Sequence, residues 1–270
     1  MFTTIITDCK GENEAGRQIT RFNSLGLGPT SLIGIDSDLS NNATIEASAN
    51  LIDVLDASNG KQGIVVLNVA PRGNKKDGEN GTHFIYFHYK KTLVISTIKG
   101  YCLSMVKKFE IVKKVNLMEL SKTLDFAFRN KLIDKNLRDY TVKSQFRSFD
   151  FVPRVTVWLI DKVELPYKTY YLKNIPEIAQ CIWCIDTFGN CKTTILSNEI
   201  SLKKDHLIKT NLGKFKFYER LKDIPKNETA IYVGSSGIKN IRFLEIATQG
   251  VAGSAGKKLN LKIGTKVKIM

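Results

Sequence analysis

The sequence predicts an α/β domain with a Rossmann-like mixed sheet over residues 1–165, a linker at 166–176, and a small all-β domain over residues 177–270, either barrel or sandwich. Three observations carry this. Strand-like and helical patterns alternate through the first part of the chain, as in βαβ units. Residues 64–69 are almost wholly apolar, as a strand covered on both faces of a parallel sheet should be. After Pro166, short strands follow one another between turn residues, with little helical periodicity.

Residues 2–7 are a β-branched run closing on Asp8 and read as the first core strand. The segment 9–16 precedes a helix expected at 17–25, and residues 31–35 form a second apolar strand ending at Asp36. Ile45, Ala49, Ile52 and Leu55 fall at helical spacing within residues 44–55. Strands are expected at 84–89 and 93–96, a helix at 119–128 and a strand at 155–160, with 167–176 as the connecting stretch. In the second part the expected strands are 180–186, 192–196, 206–209, 229–233, 243–247 and 266–269. Gly234-Ser-Ser-Gly237 reads as a turn at a strand end, where reversal needs permissive φ and ψ.

With 43% hydrophobic and 25% charged residues, the composition is globular and excludes a wholly disordered chain. No apolar run approaches the roughly 20 residues of a membrane span. The opening Met1-Phe-Thr-Thr-Ile-Ile-Thr-Asp8 lacks the basic start and long apolar core of a signal peptide, so a cytoplasmic protein without a membrane partner is expected. Five cysteines, an odd number, make no disulfide framework. Cys181-Ile-Trp-Cys184 has redox or zinc-like spacing, but on a strand the two thiols face opposite sides. No second pair and no nearby His completes a ligand set, so buried thiols and no metal are expected. Lys and Arg number 41 against 26 Asp and Glu, a net charge of +15. Such an excess raises nucleic acid as a partner. The Lys pairs are spread along the chain without an aromatic cluster, and an anionic small molecule suits dispersed charge equally well, so nucleic acid is not the expected partner.

Asp8 ends the first strand, where open α/β sheets place their ligands, and a carboxylate there can accept both hydroxyls of a ribose. In Ile185-Asp186-Thr187-Phe188-Gly189-Asn190 one carboxylate could meet one ammonium, while Asn190 supplies amide donors. Further on come Ala230-Ile-Tyr-Val-Gly-Ser-Ser-Gly237, Leu244-Glu-Ile-Ala-Thr-Gln-Gly250 and Gly253-Ser-Ala-Gly256. In this order the pieces resemble the C-terminal domain of the S-adenosylmethionine hydroxide adenosyltransferases, relatives of the fluorinase and chlorinase. In that family a strand, a Ser-Ser-Gly or Ser-Arg-Gly turn, a Leu-Glu-Ile-Ala strand and a Gly-Ser-Ala turn follow one another. Residues 238–243 read as an insertion relative to it.

The resemblance implies an N-terminal α/β domain, a C-terminal β-barrel and a homotrimer with substrate between subunits. S-adenosylmethionine is then substrate, and no separate cofactor is implied. Asp8, in Thr7-Asp8-Cys9-Lys10-Gly11, would hold the ribose, although the Phe of the family's Thr-Asp-Phe-Gly is lost. Asp186 and Asn190 would bind the ammonium and carboxylate of the methionine part, with Phe188 beside the adenosine. Tyr218 would lie against the adenine, and the backbone near Gly250 would meet its edge. Ser235 and Ser236 would meet the methionine carboxylate, Ser236 standing where some members have Arg.

The reaction centre departs from the family. Where it has Val-Val-Asp-Pro-Gly-Val-Gly-Thr-x-Arg, this chain reads Val66-Leu67-Asn68-Val69-Ala70-Pro71-Arg72-Gly73-Asn74-Lys75. Asn68 or Ala70 replaces the Asp, Lys75 stands near the Arg, and Arg147 takes the position of the His in Phe-His-Gly-Arg-Asp. Neither Asn nor Arg serves as a general base near neutral pH. His83, His88 and His206 do not fall at the matching place. The expected activity is hydrolysis at C5′ to adenosine and methionine, with Asn68, Lys75 and Arg147 at the centre and alignment in place of a base. Two alternatives stand beside it. Arg147 with Arg72, Lys75 and Lys76 would suit a phosphate-bearing conjugate, such as the S-adenosylmethionine–nucleotide signals of some CRISPR systems. Loss of the base would equally suit a non-catalytic protein that binds or sequesters the ligand.

Overall fold

The computed structural model describes residues 1–36, 42–69, 82–201, 206–250 and 254–270. The chain forms two compact units, Met1–Pro176 and Glu177–Met270. In the first, strands β1 (Phe2–Thr7), β2 (Thr30–Gly34), β3 (Gly63–Asn68), β4 (Phe84–Tyr89), β5 (Thr92–Thr97), β6 (Lys114–Met118) and β7 (Lys168–Tyr171) make one sheet in the order β2-β1-β3-β5-β4-β6-β7. The β2, β1, β3 and β5 neighbours are parallel and the rest antiparallel, so the sheet is mixed. Its helices are α1 (Glu12–Ser24), α2 (Asn42–Ala57), α3 (Ser104–Lys108), α4 (Leu120–Arg129), α5 (Lys135–Lys143), α6 (Arg147–Asp150) and α7 (Val152–Ile160).

The apolar run of β3 has its reason in this layering. Ile64 and Val66 pack on one face with Phe22 of α1, Leu124 of α4 and Val155 of α7. Val65 and Leu67 are equally buried on the other face, where α2 packs against β1 and β3. Each such side chain contributes roughly 1.5–3 kcal/mol by leaving water. The chain leaves β1 through α1 to β2, then returns through α2 past β1 to β3. Strand order therefore reverses between β1 and β3, and their carboxyl ends flank a topological switch point.

Three expectations are corrected in this unit. Helix α1 begins at Glu12, five residues before the expected start at 17; Glu12 and Glu14 favour the positive end of its dipole. Residues 155–160 lie in a helix rather than a strand. Val152, Val155 and Trp158 recur every third residue toward the core, and Pro153 sits in the first turn, where its missing N–H costs nothing. Residues 168–171, read as linker, form β7, paired antiparallel with β6.

In the second unit, β8 (Ile182–Ile185), β9 (Cys191–Leu196), β10 (Leu207–Thr210), β11 (Gly213–Tyr218), β12 (Thr229–Ile238) and β13 (Ile241–Thr248) form a sheet ordered β10-β11-β12-β13-β9-β8, followed by the short helix α8 (Ala255–Lys258). The β11–β12 pair is parallel, so this sheet is mixed too. Ile182, Ile231, Leu244, Ile246 and Val267 build its core. Residues expected to form a strand at 266–269 make isolated bridges, Lys266 to Cys181 and Ile269 to Thr210, near the two edge strands. A continuous ladder closing a barrel is not shown. Gly234-Ser-Ser-Gly237 is also not a terminal turn. It lies inside β12, at an irregularity of register between Val233 and Gly237. Residues 238–243 complete β12, turn at Lys239 (φ 53°) and Asn240, and start β13. Among the described residues, no helix is long and apolar enough to cross a membrane.

Candidate functional site

In the first unit, Thr7 and Asn68 are register partners at the ends of β1 and β3, so the fold brings Asp8 and Asn68 together at the switch point. The Asp8 amide donates to the Asn68 carbonyl at 3.4 Å, and Asn68 Nδ2 donates to Thr7 Oγ1 at 3.4 Å. That bond uses an amide donor and keeps Oδ1 as an acceptor. Both residues are part-exposed. Behind them, Thr97 Oγ1 and Cys102 Sγ donate to the Val69 carbonyl at 2.6 and 3.2 Å. Burial pushes the Cys102 thiol up to about 12, and the nearby Asp8 charge adds to this. Arg147 opens α6, which packs on α1, and burial lowers its pKa. Ala70, Arg72, Lys75 and Lys76 lie outside the described residues.

In the second unit, the β8–β9 connection is a tight loop organised by Asp186. Its Oδ1 accepts from the Phe188 and Asn190 amides, both at 2.9 Å, and its Oδ2 accepts from Asn190 Nδ2 at 3.0 Å. Gly189 holds φ +79°, and a Cβ there would sit 1.9 Å from Ser254 Cβ. The Gly256 amide donates to the Gly189 carbonyl at 3.0 Å, so the small residues Ser254, Ala255 and Gly256 let this loop dock beside α8. Phe188 projects from the loop at 82% exposure.

A buried polar cluster lies on the strands behind the loop. Glu245 of β13 is 3% exposed and accepts from the Tyr232 hydroxyl. A Cβ at Gly234 would lie 2.2 Å from Glu245 Oε1, so glycine there leaves room for the carboxylate. Lys192 of β9 is the register partner of Glu245, which puts both side chains on one face. Its Nζ donates to Ser236 Oγ at 2.6 Å and stands 5.2 Å from the Trp183 ring centroid. Burial raises the Tyr232 pKa, and the bond to Glu245 and the Asp186 charge add to it. Burial and then Asp186 likewise push Cys191 up to about 12. Asp186, Glu245 and Lys192 thus share one neighbourhood with a formal charge of −1, suited to a ligand with a net positive charge.

The other expected residues are placed less centrally. Ser235 is exposed, and its carbonyl accepts from Arg242 Nη1 at 3.0 Å. Tyr218 is 8% exposed, packed with Tyr232 and Ala247, and its hydroxyl donates to Glu228 Oε1 at 3.1 Å. Gly250 is exposed with φ +97°, beside the loop at Lys226 and Asn227.

Residues 180–268 match the family described as SAM hydroxide adenosyltransferase C-terminal domain. The C-terminal unit is thus similar to the C-terminal domain of the SAM hydroxide adenosyltransferases. No curated protein matches the chain. Among solved structures, an uncharacterized conserved protein from Thermotoga maritima aligns with a TM-score of 0.68 at 18% identity, covering 99% of this chain and 100% of the other. A conserved hypothetical protein from Thermus thermophilus aligns with a TM-score of 0.56 at 13% identity, covering 99% of each chain. At such identities these likenesses speak to the fold alone. The matched domain gives the chain an enzyme-like, SAM-related character.

Within this matched domain, sequence reasoning missed Lys192 and Glu245. Glu245 had a legible signal, since it interrupts the apolar run Phe243-Leu244-Glu245-Ile246-Ala247 where a buried charge is rare. Lys192 had none, because its meeting with Ser236 depends on the pairing of β9 with β13.

Proposed function

We propose that the chain binds S-adenosylmethionine, or a nucleotide derived from it, and hydrolyses it at C5′ to adenosine, or its conjugate, and methionine. The observation that carries this reading is the Asp186, Glu245, Lys192 and Ser236 cluster inside a domain of the SAM hydroxide adenosyltransferase family. In this reading the acidic pair receives the ligand's ammonium and sulfonium charges, and Lys192 with Ser236 receives its carboxylate. Asp8 accepts the ribose hydroxyls.

For the reaction, water oxygen forms a bond to C5′ as the C5′–S bond breaks. The sulfonium sulfur keeps the electron pair and leaves as the neutral thioether of methionine, while the water's surplus proton passes to solvent. Asn68 Oδ1 orients the water as an acceptor without removing its proton. Alignment of this kind supplies roughly 7–11 kcal/mol of barrier reduction without a strong base. The same reading carries a homotrimer, which light scattering at micromolar concentration tests.

Incubating purified protein with S-adenosylmethionine and separating the products by chromatography tests the activity. Release of adenosine and methionine is expected. Unchanged ligand with a raised melting temperature would replace hydrolysis with binding alone, and unchanged ligand without a shift would overturn both.

A further inference from the structure

One face of helix α1 and Phe149 of α6 border an open surface groove of about 430 Å3 lined by Glu12, Asn13, Arg17, Thr20, Arg21 and Phe149, among others. Its two cations are held by rings. The Arg17 guanidinium lies 4.6 Å from the Phe149 centroid and 5.3 Å from that of Phe146, and Arg21 lies 4.2 Å from that of Phe149. The two rings stack at 5.5 Å with an interplanar angle of 19°. Among the described residues neither arginine makes an ion pair.

A guanidinium lying on a ring keeps its N–H donors at its rim, where they can grip an oxyanion in pairs. Stacking also restricts the long side chains before any ligand arrives, which lowers the ordering cost of binding. The arginines stand one helical turn apart, so their like charges repel. Arg154 of α7 adds to the positive field: burial, and next the charge of Arg21, lower its pKa, while Asp150 acts in the opposite sense. An anion in the groove would relieve that repulsion. Glu12, at one end of the lining, limits the space for negative charge and could accept a hydroxyl instead.

We propose that this groove is a binding site for the phosphate of a small organic phosphate, gripped by Arg17 and Arg21, with Thr20 and Asn13 as neutral partners. The proposal is independent of the adenosyl reading and concerns other residues.

Isothermal titration with inorganic phosphate, then with AMP, tests it on the full chain. Saturable binding by the wild type is expected, weakened about tenfold or more in Arg17→Gln with Arg21→Gln, whose fold is checked by circular dichroism. Arg21→Lys keeps the charge but loses the stacked fork and should bind with intermediate strength. Lys214→Gln with Lys216→Gln, exposed residues of β11, removes the same charge and should bind like wild type. Absence of saturable binding, or equal weakening in the two double variants, overturns the site. A ten-nucleotide oligomer bound far more tightly than AMP overturns the assignment to a small molecule.

Discussion

Lys192 Nζ donates to Ser236 Oγ at 2.6 Å, so the cation of this cluster comes from β9 and not from the Ser-Ser-Gly segment itself. Where some family members carry Arg within that segment, this chain has Ser236 with an ammonium beside it. If the pair receives the ligand carboxylate, Lys192→Met should raise KM for S-adenosylmethionine about ten- to a hundredfold, equivalent to about 1.5–3 kcal/mol for a charged hydrogen bond. The change in kcat should be smaller, and Lys192→Arg should recover part of the loss. Steady-state kinetics followed by chromatography gives the split, and an unchanged KM would remove Lys192 from the site.

Asp186 has two roles that substitution can separate. Its three hydrogen bonds within the loop mean that Asp186→Ala should destabilise the free protein by about 1–3 kcal/mol, apart from any effect on the ligand. Asp186→Asn keeps an oxygen for the Phe188 and Asn190 amides but removes the charge. It should melt near the wild type while binding ligand at least tenfold more weakly, by calorimetry. Wild-type affinity in the Asn variant would leave Asp186 as a loop residue only.

Gly189→Ala tests the docking of the loop beside α8. A methyl group there meets Ser254 and must also adopt a positive φ, so a loss of roughly 1–3 kcal/mol in unfolding free energy is expected from chemical denaturation. A stability equal to wild type would show that the loop and Ser254 separate freely.

Thiol reactivity follows from burial. Cys102 and Cys191 have pKa values pushed up to about 12, so the reactive thiolate is scarce at any pH well below that. Native protein treated with iodoacetamide at pH 8 should be modified at the part-exposed Cys9 and Cys184 and spared at Cys102 and Cys191. Mass spectrometry reads the sites, and early labelling of Cys102 or Cys191 would contradict their closed environment.

The α/β character of the first unit was legible because Ile64, Val65, Val66 and Leu67 sit between two helical layers, and that demand is written in local composition. Val155–Ile160 misled as a strand because its valines and isoleucine favour extended structure, whereas the tertiary contacts of Val155 and Trp158 repeat at helical spacing. The segment at 234–237 misled for a related reason: two glycines suggested a turn, but Gly234 makes room for Glu245 across the strand pair. Asp186 and Asn190 were readable as a motif. Their hydrogen bonds to each other, and the arrival of Lys192 and Glu245 beside them, depend on strand register, which no local pattern records.

The central claim is that water displaces methionine at C5′. Its most direct test is turnover of S-adenosylmethionine in 18O-enriched water, with mass spectrometry of the nucleoside product. The account predicts adenosine carrying one 18O atom at its 5′ position, together with one equivalent of methionine. Methylthioadenosine, adenosine with unlabelled oxygen, or no nucleoside product would contradict it.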